Sequence, residues 1–198
     1  MEGREAEQTL AVIRTLMERG TRYTHLSSHA GLAAGGITLI GCGLRVWLHT
    51  PFLPTWLGVL IAAAAASVYF TAAMAHANGE PFWTRQTRTV VMALLPALGA
   101  GLVLTSVLSE LRVEWILPGV WMLLWGCGAL AMSFFTPRVI SMLGIAFLAA
   151  GSLTLGLDLR SDALTMGLTF GAIHLAYGLV LTFARQWALS NRHLALDA

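Results

Sequence analysis

From Ala30 onward the chain alternates long apolar stretches with short polar joints, and the rhythm recurs six times. Five windows contain no charged residue: 56–75, 90–108, 115–135, 139–157 and 163–184. A sixth, 30–48, is interrupted only by Arg45, close enough to its end for the guanidinium to snorkel into an interface. Each window is near the roughly 20 residues that carry an α-helix across about 30 Å of hydrocarbon. The pattern predicts an all-α integral membrane protein, a bundle of six transmembrane helices.

Ahead of the first window, "REAEQTLAVIRTLMERG" sets Leu10, Ile13, Leu16 and Met17 at helical spacing, with Glu and Arg on the other face and Gly20 as a stop. This is a short amphipathic cytoplasmic helix, suited to the inner leaflet or to a partner. The chain thus divides into a cytoplasmic amphipathic segment over 1–26, a six-helix transmembrane domain over 27–185 and a short, loosely ordered cytoplasmic tail over 186–198. With about 29 mostly polar residues before the first apolar window, a cleaved signal peptide is not expected.

Composition agrees: 57% of the 198 residues are hydrophobic, 11% are charged, and the mean hydropathy is +0.71, where a soluble domain carries about a quarter charged residues. The basic residues set an orientation. Arg4, Arg14, Arg19, Arg22, Arg85, Arg88, Arg138, Arg185 and Arg192 fall on one side, against Arg45, Arg112 and Arg160 on the other, which places both termini in the cytoplasm. Trp47, Trp56 and Trp115 mark the outer boundary, and Trp83 and Trp187 the inner one. There is no lysine. That excludes a Walker phosphate loop, a retinal Schiff base and a pyridoxal phosphate aldimine, all of which need a lysine amine. HExxH, GxSxG and GxGxxG are missing as well, so a non-enzymatic protein is expected. Cys42 and Cys127 both lie inside predicted spans and read as packing residues rather than as a disulfide pair.

Helices in lipid associate through small residues that let backbones approach. Gly31, Gly35, Thr38, Cys42 and Arg45 share one face of the first span; Gly119, Gly126 and Ser133 recur every seven residues in the fourth, and Ser141, Gly144 and Gly151 line the fifth. In the sixth, "FGAIHLAYG" continues a stripe of Gly167, Gly171, His174 and Gly178. His174 therefore points at protein near the middle of its span, where an ionisable group is a candidate site. Its seam includes Tyr177, Gly171, Thr38 and Cys42, either as a neutral hydrogen-bonded imidazole or as a transport or ligand site. "GCG" occurs at residues 41–43 and again at 126–128, a possible trace of two inverted three-span halves, and Pro96 is placed to kink the third span.

Two further constellations carry chemistry. His25 and His29 lie one turn apart at the level of His76, a set that could hold zinc or copper. His174 could ligate haem, with a weak or absent sixth ligand. The inner loop "NGEPFWTRQTR" brings Trp83, Arg85, Thr87 and Arg88 together as a headgroup anchor or docking surface.

"LMERGTRYTHLSSHAGLAAGG", "NGEPFWTRQTR", "WMLLWGCGAL" with "RVISMLGIAFLAAG", and "FGAIHLAYG" together resemble a family of bacterial six-span inner-membrane proteins of unassigned activity, often encoded beside a small winged-helix regulator. The resemblance runs from about Leu16 to Arg185. Its characteristic phrases fall on Glu18, Arg19, Thr21, Arg22, Trp83, Arg85, Thr87, Arg88, Gly171, His174 and Gly178, and it departs at His25 and His29. It implies a bacterial inner-membrane location and the six-span topology, and no activity. The expected function is that of a non-enzymatic, homo-oligomeric or complex-associated subunit whose partner is the lipid bilayer, with no nucleic acid. The alternatives are a small transporter or channel around His174, and a haem- or metal-binding membrane protein.

Overall fold

A computed structural model describes residues 27–196, leaving out the side chains of 185 and 188–196. The expected helix over 1–26, with His25, lies outside the described residues. The fold is all-helical, with no strand among the described residues, and six helices are long and apolar enough to cross a membrane. They are α1 (Ser28–Trp47), α2 (Phe52–Ala77), α3 (Arg85–Glu110), α4 (Leu117–Ser133, entered through a 3-10 turn at Glu114–Ile116), α5 (Arg138–Gly156) and α6. The last begins as Asp162–Met166, passes through a π-helical turn at Gly167–Gly171 and continues as Ala172–Leu196. Its helical backbone runs on through the tail that was expected to be loosely ordered.

Every predicted window falls on one of these helices, running past α1 and α5 by one residue and past α4 by two, while α2 and α3 extend beyond theirs at both ends, because an apolar window reports hydrocarbon and not the polar turns flanking it. Thr84 caps α3 by accepting from Thr87 N. Helices α2, α3 and α5 end on residues in the left-handed region, Gly79, Arg112 and Asp158, and the following amides, Glu80, Val113 and Leu159, reach back to carbonyls five residues earlier. This Schellman closure satisfies the last carbonyls and reverses the chain sharply. His49, with φ 51°, turns the chain after α1.

The helices pack in the spatial order α2, α1, α6, α5, α4, α3. The glycine stripes determine that order. A Cβ on Gly35 would stand 2.9 Å from the carbonyl oxygen of Gly171, and one on Gly178 would stand 2.7 Å from the amide nitrogen of Leu32, so α1 and α6 touch backbone to backbone. Between α4 and α5 the contact is reciprocal: Gly119 faces the Gly151 carbonyl, Gly151 the Gly119 carbonyl, and Gly126 and Gly144 repeat the exchange one heptad along. Gly101 of α3 lies under the Trp121 ring of α4, and Gly41 of α1 against Val59 of α2. Met122, Ala129, Ile140, Leu143 and Phe147 form the buried core between α4 and α5, with Phe170, Ile173 and Tyr177 of α6 packed on it.

The neighbour pattern maps onto itself when the first three helices are exchanged for the last three. α1 lies between α2 and α6, and α4 between α5 and α3; Gly41 faces α2 as Gly126 faces α5. This is the arrangement the repeated "GCG" leads one to expect. It fails at one seam: α5 and α6 pack together, whereas α2 and α3 do not.

Candidate functional site

A partly open cavity of about 350 Å³ is bounded by α1, α2, α3, α4 and α6, on the side of the bundle where α2 and α3 do not pack closely. Leu53, Leu57 and Leu60 of α2, Leu94, Leu98 and Leu102 of α3, Trp121 and Trp125 of α4 and Met166 and Phe170 of α6 make most of its wall. Among the described residues no charged side chain lines it. Its polar atoms come from Thr38, Ser67, Thr105, His174 and the tryptophan indoles.

His174 reaches the cavity because α6 presents Gly171 and Gly178 to α1 and leaves the imidazole at the edge of that face, among Trp125, Phe147 and Phe170 at ring-centroid distances of 5.7, 5.3 and 6.1 Å. Nδ1 lies 2.8 Å from the Phe170 carbonyl oxygen. A carbonyl only accepts, so Nδ1 carries the proton, and in the uncharged ring Nε2 holds a lone pair. Nε2 has no hydrogen-bond partner among the described residues.

The other lining hydroxyls are similarly committed. Thr38 Oγ1 donates to the Ala34 carbonyl at 2.8 Å. Thr105 Oγ1 donates to the Gly101 carbonyl at 2.7 Å and accepts from Trp121 Nε1 at 2.9 Å. Trp125 Nε1 is wholly buried with no acceptor, packed among the same aromatic rings as His174.

At the Asp162 end of α6 a charged cluster ties three helices together. Arg45 of α1 donates to both carboxylate oxygens of Asp162, at 2.8 and 3.1 Å, and to the Thr50 carbonyl, while Trp56 Nε1 of α2 donates to Asp162 at 3.2 Å. Both charged side chains are about 20% exposed. Arg45 thus pairs inside the bundle rather than only snorkelling outward. Trp56, expected in an interfacial belt, is 7% exposed and lines the cavity. Trp115 does stay at the periphery, where Arg160 lies 4.6 Å over its ring.

Of the five residues expected in a polar seam, the cavity brings together His174 and Thr38. Gly171, Cys42 and Tyr177 belong to the α1/α6 contact instead: Cys42 meets Gly167, and Tyr177 packs on Gly31. Asp162 is absent from that expected seam. Its signal was an acid opening the sixth apolar window at the depth where Arg45 closes the first.

Of the histidine set expected to hold a metal, His25 lies outside the described residues, and only His29 and His76 can be placed. His29 is stacked on Phe70 at 6.0 Å, His76 is exposed in the last turn of α2, and no group of three metal-ligating side chains occurs among the described residues. For haem, His174 Nε2 is an available ligand atom, and among the described residues the lining holds no cation for haem carboxylates and no second imidazole. In the loop, Thr87 is buried and organises the turn, donating to the Phe82 carbonyl at 2.6 Å, and Trp83, Arg85 and Arg88 project outward.

No family model, no curated protein and no solved structure matches the chain.

Proposed function

We propose that this is a non-enzymatic multi-pass protein of a bacterial inner membrane, with both termini cytoplasmic, whose cleft between α2 and α3 holds a membrane-resident amphiphile. The observation that carries the reading is the cavity itself, apolar, uncharged and placed where two neighbouring helices fail to pack. In hydrocarbon such an opening faces chains rather than water, and apolar walls favour a guest with a long apolar body. An ion or a charged solute would meet no compensating charge there. The glycine faces that suggested homo-oligomers or a larger complex are filled within the chain, so the reading rests on the cleft.

Lipid nanodiscs doped with a diazirine-bearing neutral single-chain amphiphile, cetyl alcohol or its methyl ether, test this. Photolabelling is expected on Leu60, Leu94 and Leu98 within the cleft, and Ala64→Trp, which fills it, is expected to reduce that labelling several-fold. Labelling confined to outward residues such as Ile61 and Val103, unchanged by Ala64→Trp, would overturn the reading.

A further inference from the structure

The inner end of the cleft has a chemical polarity that its apolar walls conceal. At His174 the one ring proton is committed to the Phe170 carbonyl, leaving Nε2 as an acceptor. The hydroxyl protons of Thr38 and Thr105 are committed to backbone carbonyls of their own helices, as hydroxyls in apolar helices generally are. Trp121 and Trp56 donate their indole protons to Thr105 and Asp162. Trp125 Nε1 is sealed from the cavity by burial. Ser67, on the α2 wall, is the lining hydroxyl left to act in either sense.

Resting on the amphiphile reading above, we propose that His174 Nε2, seconded by Thr38 Oγ1, selects an uncharged amphiphile that donates a hydrogen bond, a long-chain alcohol or phenol rather than an ester, ether or carboxylate. A charged headgroup is excluded by the same walls, since a carboxylate or phosphate would find no cation: Arg45 is bound to Asp162 and does not line the cavity. An acceptor-only headgroup would set its lone pairs against those of Nε2 and forfeit its hydration with nothing in return. A hydroxyl satisfies Nε2 and keeps its own oxygen as an acceptor. The position of the acceptor also counts. His174 is midway along the apolar span of α6, Asp162–Ala184, so the hydroxyl is one that its carrier brings deep into hydrocarbon, as a neutral single-headed lipid can and a phospholipid cannot.

The test compares diazirine-bearing cetyl alcohol with its methyl ether, in which a methyl group replaces the hydroxyl hydrogen, on the full chain in nanodiscs, reading labelled residues by mass spectrometry. The alcohol is expected to label Leu94, Leu98 and Phe170 at about three- to tenfold lower concentration than the ether, the range of one uncharged hydrogen bond. His174→Phe is expected to abolish that preference while cleft labelling persists, and Thr38→Val to reduce it. Equal labelling by the two compounds, or a preference that survives both substitutions, overturns the donor requirement and leaves the amphiphile reading standing. Labelling by neither compound in the wild-type cleft overturns both. The alcohol and ether comparison needs no variant, so it decides even if His174→Phe does not fold.

Discussion

Gly35 and Gly36 are adjacent in sequence and opposite in consequence. A Cβ at 35 meets the Gly171 carbonyl and the Leu175 amide at 2.9 Å, whereas one at 36 meets nothing within 4 Å. Gly35→Ala must therefore part α1 from α6 and is expected to cost about 1–3 kcal/mol. Gly36→Ala places the better helix former on an open face and is expected to be neutral or stabilising by up to about 1 kcal/mol. Thermal unfolding of the two variants in the same detergent checks the pair, and equal effects would show that α1 and α6 are not in backbone contact. This distinction was legible beforehand, since the 4, 3, 4 spacing selects Gly31 and Gly35 and omits Gly36. The surroundings of His174 were only half legible. Spacing predicts that the ring faces protein, but that it meets Trp125 and Phe147 depends on α4 and α5, whose placement no periodicity within α6 encodes.

Between elements, the Arg45 and Asp162 pair does for α1 and α6 what the glycines cannot, fixing the two helices along their length as well as across it. Glycine contacts permit sliding by a heptad, as the repeated exchange along α4 and α5 illustrates; a bidentate guanidinium and carboxylate pair does not. With both side chains about 20% exposed, removing one partner falls between the surface and buried cases. Arg45→Met is expected to destabilise by about 1–3 kcal/mol, and Asp162→Asn less, because it still accepts from Trp56. In the double-mutant cycle the two effects should fail to add; strict additivity would show that the pair contributes nothing. The π turn at Gly167–Gly171 lies directly between this pair and His174. Its extra residue shifts the helical phase by about a third of a turn, so Asp162 can face α1 while His174 faces the cavity. Hydropathy gave no hint of that turn, since a π turn and an α turn share the same apolar composition.

Across the whole molecule, six apolar windows anticipate the helices, and the glycine stripes anticipate which faces pack closely but neither their partners nor the open seam. A cavity is a statement about two helices that do not meet, and α2 and α3 each carry apolar residues on every side, as lipid-facing helices do. Sidedness is open to direct measurement. Single cysteines at His49, Arg112 and Asp158, in a Cys42→Ala and Cys127→Ala background, are expected to react with an impermeant maleimide from the periplasmic side of intact spheroplasts, and cysteines at Asn78 and Arg138 only after lysis. The reverse result would invert the topology while leaving the fold untouched. The placement of α1 beside α6 has a last consequence, for how the molecule is made. Arg45 and Asp162 are 117 residues apart, about 6 to 23 s of synthesis at about 5–20 residues per second. In a chain inserted as proposed, α1 would wait through that interval with its glycine groove empty and its guanidinium without Asp162. The nascent chain thus exposes a binding face that belongs to its own final helix, and whatever escorts it must occupy that face loosely enough to be displaced.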